Sequence, residues 1–290
     1  MDDMVSAEPP APRGHIATLS SSLSAEDQAS LIRAMRQLEH TNLATRLTSI
    51  LGSKIGAVTQ FVPAAITGPV DKAAEVAIRA ALHIALRSLN KKPVSDRRRF
   101  HKTVAVMAGA AGGAFGIASL PVELPISTTI MLRSIADIAR GEGEDLSDSQ
   151  TALACLEVFA LGGRNDDVHE ARVAGDTILG SNYFAVRAIL AKSVSEAVRF
   201  LAGRGLTDEA APILVRVISQ IAARFGLVVS QKIAAQSVPL IGAAGGAAIN
   251  YAFVDHFQTI ARGHFTIRRL ERLYGAAIVQ AEYQRLLQQA

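Results

Sequence analysis

Apolar positions recur at three- and four-residue steps along most of the chain, the spacing that gathers side chains on one face of an α-helix. Residues 70–89 show it best. Val70, Ala74, Ala77, Ile78, Ala81, Ile84, Ala85 and Leu89 form the stripe, while Asp71, Lys72, Glu75, Arg79 and Arg87 lie largely opposite. Pro69 stands just ahead of this stripe and Asn90-Lys91-Lys92-Pro93 closes it, because proline cannot continue a helix and biases the residue before it away from one. Ser24 followed by Glu26 and Asp27 predicts a helix start, with a hydroxyl cap and acids at the positive end of the dipole. Ser147 with Asp148 predicts another, leading into Thr151–Leu161. Period-two alternation of strand length is hard to find. The pattern predicts an all-α multi-helix bundle over residues 23–290, behind a disordered Pro- and Ser-bearing tail at 1–22.

Two stretches break the amphipathic rhythm. Thr103–Val122 carries no charge over 20 residues and Ile233–Val254 none over 22. Both contain the hexapeptide GAAGGA, at 109–114 and 242–247, and both are followed by IARG, at 138–141 and 260–263. We expect two central Gly/Ala-rich apolar helices or hairpins lying side by side, with Gly109, Gly112, Gly113, Gly116, Gly242, Gly245 and Gly246 as the packing seam. Their length would reach across a bilayer. Ten of the 19 residues from Val104 to Val122, however, are Ala or Gly, which contribute little to insertion. Three arrangements stay open: a soluble or peripheral helical protein, shallow hairpins, or two spans. Pro121 and Pro125 favour the hairpin over the span.

Composition narrows the picture. The chain has 290 residues, 49% apolar and 19% charged, which suits a packed core and excludes disorder of the bulk. Aromatics are 5% with no Trp, a balance that fits close-packed helices better than a β-sandwich. A mean hydropathy of +0.25 is too low for a polytopic membrane protein. The N-terminus has neither a basic nor an apolar leader region, so the expected compartment is the cytoplasm. The net charge of +4 rests on 23 Arg against 7 Lys. Basic residues crowd the flanks of both uncharged runs, and Arg97, Arg98, Arg99, Lys102, Arg262, Arg268 and Arg269 are the expected contacts to anionic lipid at the inner face of the cytoplasmic membrane. A nucleic-acid interface is disfavoured, since one basic cluster with a single aromatic, Phe100, is a weak footprint.

Recognisable reaction chemistry is missing. The lone Cys155 excludes disulfides and cysteine-built zinc sites and reads as a small buried hydrophobe. His169-Glu170 opens like a zinc-protease helix, but Val173 stands where the second His belongs. The chain carries neither a P-loop nor a nucleophile elbow. Glu142, Glu144, Asp145 and Asp148 lack the spacing of a calcium loop and read as a solvated connection. No metal or cofactor is expected. What remains is polar residues set in apolar surroundings: Glu123, Arg133 with Asp137 four residues on, Glu157, Asn250, Asp255 and His256. Such groups are partnered across helices or functional. As a cluster between the two Gly/Ala helices they would bind a lipid head group or small anion. The alternatives are a hydrolase using His256 with Asp255 or Glu123, and a soluble interaction module.

Longer blocks carry a resemblance. The stretch 124–146 (LPISTTIMLRSIADIARGEGEDL), then 155–163 (CLEVFALGG), and the C-terminal VPLIGAAGGAAIN at 238–250, continuing through ARGHF at 261–265 to RRLERLYG at 268–275, resemble the EcsC family of bacterial proteins. The similarity covers about residues 70–283. It implies a helical, membrane-associated accessory protein linked to an ABC transporter. It brings no established reaction and no catalytic residues.

Overall fold

The computed structural model describes residues 23–51, 64–88, 120–163, 181–204, 211–236 and 242–289. The tail at 1–22, the glycines 109–116, the basic residues Arg97, Arg98, Arg99 and Lys102, and His169-Glu170 lie outside them. The described residues form nine α-helices and no strand: α1 Ala25–Glu39, α2 Leu43–Leu51, α3 Ala64–Ser88, α4 Leu120–Gly141, α5 Ser149–Leu161, α6 Asn182–Arg204, α7 Pro212–Gln236, α8 Gly242–Tyr274 and α9 Ala276–Gln289.

The expected starts are where the sequence places them. Ser24 accepts a hydrogen bond from the Asp27 amide at 3.1 Å and Asp148 accepts one from Gln150 at 2.9 Å. Two prolines behave otherwise. Pro69 lies inside α3, which begins at Ala64, and Pro125 lies inside α4 and does not end it. Each removes one backbone bond, and packing of the helix as a whole outweighs that loss.

Helix α8 organises the molecule. At 33 residues it runs about 50 Å, and its neighbours can be ordered along it. α4 lies parallel to it, with Gln258 donating to Ser134 at mid-length and Arg268 reaching Glu144 beyond the C-terminus of α4. The α1–α2 pair runs the other way, from Asp27 beside Arg269, past Leu38 beside Gly263, to Arg46 beside Asp255. α7 is also antiparallel, with Phe225 packed on Phe257 and Lys232 over the Phe253 ring. The uncharged run Ile233–Val254 is thus divided between two helices, which rules out one continuous spanning helix there; Pro239 stands in the interval.

The core is filled by α5, whose ten residues Thr151–Ala160 are all buried, as a helix apolar on every side must be. Phe159 meets Phe225 and Phe257 with ring centroids 5.1 and 5.4 Å apart, in the tilted and edge-on geometries aromatics favour. Two glycines permit close approaches between helices. A Cβ on Gly163 would sit 2.6 Å from the Arg224 carbonyl oxygen, and one on Gly263, in the second IARG, would sit 2.7 Å from Leu38. Cys155 is buried and free, its thiol pushed far up by desolvation.

Candidate functional site

The expected polar residues are dispersed. Glu123 accepts from Lys232 at 2.9 Å, with the lysine side chain only 3% exposed. Asp255 pairs with Arg46, reaching from α1–α2 to α8. His256 donates to the Gly162 carbonyl through Nε2 at 2.9 Å, and burial pulls its pKa down to about 4. Asn250 is buried. Arg133 is exposed, and Asp137 bonds Arg140 at 3.2 Å in place of the expected Arg133. Arg140, three residues on, lies at the helix end, where a guanidinium can turn back on the carboxylate.

The Glu123–Lys232 pair has a topological meaning. Glu123 directly follows the first uncharged run and Lys232 directly precedes the second, so their ion pair ties the flanks of the two runs together at one end of the bundle. Val122 and Ile126, 68% and 51% exposed, stand on the outer side of α4 at that end, and Tyr251 on α8 is 46% exposed.

About 30 Å along α4, the opposite end is ionic. The loop after α4 is a solvated connection only in part: Asp145 and Asp148 are exposed, while Glu142 and Glu144 are taken up by arginines. The Glu144 side chain is 5% exposed, bonded by Arg268 at 2.8 and 3.1 Å and by Arg272, while Glu142 accepts from Arg269 at 2.9 Å. Arg269 also reaches Asp27 at 3.0 Å, and Asp27 accepts from the Tyr274 hydroxyl. Burial opposes ionisation of Glu144, yet Arg268 and Arg272 hold its carboxyl below the usual range. Arg268 and Arg269, expected at a lipid surface, are engaged with carboxylates here; Arg262 donates to Thr259 at 3.0 Å.

Glu157 sits elsewhere, in a cluster that sequence reading missed. Arg187 on α6 grips Glu271 with both terminal nitrogens, at 2.7 and 3.1 Å, and donates to the Tyr183 hydroxyl at 3.2 Å. Because Arg187 can only donate, the Tyr183 proton goes to Nδ1 of His264, 3.0 Å away. Burial holds His264 neutral, its pKa well below the ordinary histidine value, so the ring proton resides on Nε2. That nitrogen faces a Glu157 carboxylate oxygen at 3.9 Å, beyond hydrogen-bond reach. Glu157 has no hydrogen-bond donor among the described residues, and desolvation pushes its carboxyl up despite Arg187 and Arg268 nearby. Beside it opens a cavity of about 370 Å³ between α5, α6 and α8.

The spacing that builds this cluster is visible once the helices are paired. Gln150, Ala154 and Glu157, then Tyr183 and Arg187, then His264, Arg268 and Glu271 each follow i, i+4, i+7 steps along one helical face. Among the described residues, no group of three or more His, Cys, Asp or Glu side chains could hold a metal ion.

A model of the EcsC protein family matches residues 22–270, from the start of α1 through most of α8. No curated protein and no solved structure is significantly similar to the chain. The match covers far more than half of the sequence, including both repeats, the ionic loop and all three helices around the cavity: the chain belongs to the EcsC protein family.

Proposed function

We propose that this chain is a membrane-associated accessory protein that binds and scaffolds at the inner face of the cytoplasmic membrane, through its apolar end, beside a membrane partner such as the ABC transporter implied by the family resemblance. The observation that carries the reading is the exposure of Val122 and Ile126 on one side of α4, at the end where the buried Glu123–Lys232 pair joins α4 to α7. Apolar area left in water at one end gains about 25 cal/mol per Å² when covered by lipid or protein. Tyr251 adds an aromatic ring of the kind that settles at the head-group level. In sequence, Arg97, Arg98, Arg99 and Lys102 precede the first run, and each basic group held near an anionic surface contributes about 1 kcal/mol.

A shallow, peripheral seat fits better than a span. Of the described helices only α7 is long and apolar enough to cross a bilayer, and more than half of its most apolar window is buried inside the bundle. The rival hydrolase needs Glu123, Asp255 and His256 to converge, and they bond instead to Lys232, Arg46 and the Gly162 carbonyl.

Flotation on anionic and zwitterionic vesicles tests the reading. We expect the full chain to float with anionic vesicles, to be released by high salt and carbonate, and to lose most binding in a Val122→Glu/Ile126→Glu variant that keeps its melting temperature. Flotation that is absent, or indifferent to both substitutions, would overturn it.

A further inference from the structure

The cavity beside Glu157 is walled by hydrogen-bond donors. Arg268 holds Glu144 through Nε and Nη2, and its Nη1 has no partner among the described residues. Arg199, on the rim, uses Nε on the Ser195 carbonyl at 3.3 Å and keeps its terminal nitrogens. Arg187 occupies a third side, aligned by Glu271 and Tyr183. The fourth group is Glu157, 9% exposed and without a donor to support a carboxylate. A buried carboxylate in that position is costly unless it is paired, whereas the acid form adds one more O–H donor. Opposite these groups the wall is apolar: Ala154, Ala191, Val194 and Val198. The volume, about 370 Å³, lies in the range of small-molecule clefts.

We infer that this cavity binds a small organic anion, an oxyanion head on a short apolar body, with the head held by Arg268 and Arg199 beside Glu157 and the body along Ala191, Val194 and Val198. The assignment follows from donor-acceptor bookkeeping. The described walls offer guanidinium N–H groups, with Glu157 a further donor whenever it carries its proton, so they suit a ligand rich in acceptors over a cation. Guanidinium nitrogens favour planar or tetrahedral oxyanions, whose oxygens they can meet in pairs. Arg187, Tyr183 and His264 act as positioning residues: the chain from Glu271 to His264 fixes the imidazole with its Nε2 proton toward Glu157. The site lies apart from the apolar end and does not rest on the membrane reading.

Proton dependence follows from the same geometry. The charged groups acting on Glu157 are Arg187 from α6 and Arg268 and Glu271 from α8, with His264 neutral beside it. Affinity for an anion should fall as pH rises through the elevated carboxyl pKa, because the acid loses its proton and becomes a buried negative charge facing the ligand.

Titration calorimetry on the full chain tests this with hexanesulfonate, whose charge does not vary with pH, against inorganic sulfate, hexylammonium and anionic-lipid vesicles. We expect one hexanesulfonate per chain, bound at least tenfold tighter than inorganic sulfate, with no hexylammonium binding and a several-fold weakening on raising the pH. Glu157→Gln should flatten the pH profile. Ala191→Phe, on the exposed edge of α6, should weaken binding more than tenfold at an unchanged melting temperature. Equal binding of hexylammonium, indifference to Ala191→Phe, binding to vesicles alone, or no hexanesulfonate binding at millimolar concentration would each overturn the assignment.

Discussion

The two ends of α4 solve the same problem in opposite ways. At its N-terminal end one ion pair, Glu123–Lys232, is sunk among apolar side chains, and the surrounding surface shows Val122, Ile126 and Tyr251 to the outside. At its C-terminal end Glu142 and Glu144 are held by Arg268, Arg269 and Arg272, and the exposed Leu273 stands alone among charges. Among the described residues the first end leaves apolar side chains in water; the second closes itself with its own counterions. Under the membrane reading proposed above, contact with the bilayer falls to the first end, while the second fastens the bundle with its own ion pairs.

Removing one member of the buried pair gives the largest effect. Glu123→Ala leaves Lys232 almost fully buried and should cost about 3–5 kcal/mol in urea unfolding, whereas replacing both residues, Glu123→Leu with Lys232→Met, should be near neutral. An equal loss in single and double variants would mean that packing, not charge, governs that end.

Acid should act on the interior between the ends. His256 has its pKa lowered to about 4 by burial, so the unfolded chain binds the extra proton first. Stability from this residue is present above the ordinary histidine pKa of about 6.5 and is lost as pH falls toward 4, by roughly 3 kcal/mol. Glu157, with its carboxyl raised, works in the opposite sense: its contribution is present below the ordinary carboxylate value and fades as pH rises through the raised one. Unfolding midpoints measured across this range should show a His256→Gln variant with a flatter acid limb; an unchanged limb would place the titration elsewhere.

At the ionic end the expected losses are smaller. Glu144→Gln weakens charge-assisted bonds from two arginines and should cost about 2 kcal/mol. Arg269→Gln, whose side chain is 30% exposed, should cost less than about 1 kcal/mol and less still in high salt. If Arg269→Gln proved as damaging as Glu123→Ala, the contrast between the ends would disappear.

Much of this was legible in the sequence. Helical periodicity, the Ser24 and Asp148 starts and the buried Cys155 follow from local chemistry that tertiary context did not alter. In the acidic loop Asp145 and Asp148 are exposed as expected, but the counterions of Glu142 and Glu144 lie more than 120 residues away, on α8. Spacing within one segment cannot show that Glu144 meets Arg268. The same limit hid Lys232, which looks like an isolated lysine in an apolar stretch until Glu123 is placed beside it. Glu157 stood out as a lone acid among apolar residues, but Tyr183, Arg187 and His264 come from other helices. Glu39 is a further case: its carboxylate accepts from Ser181 at 2.5 Å and from the Asn182 and Tyr183 amides, capping α6 from the end of α1.

The polarity between the ends is tested most directly by attaching an environment-sensitive fluorophore to a single introduced cysteine, Ile126→Cys in one variant and Arg272→Cys in another. Cys155, buried with its thiol pushed up, stays unlabelled in the folded chain. On adding anionic vesicles, the label at 126 should shift to the blue and be quenched by lipid-borne quenchers, while the label at 272 keeps its aqueous spectrum. A response at 272 without one at 126, or at neither, would contradict the account.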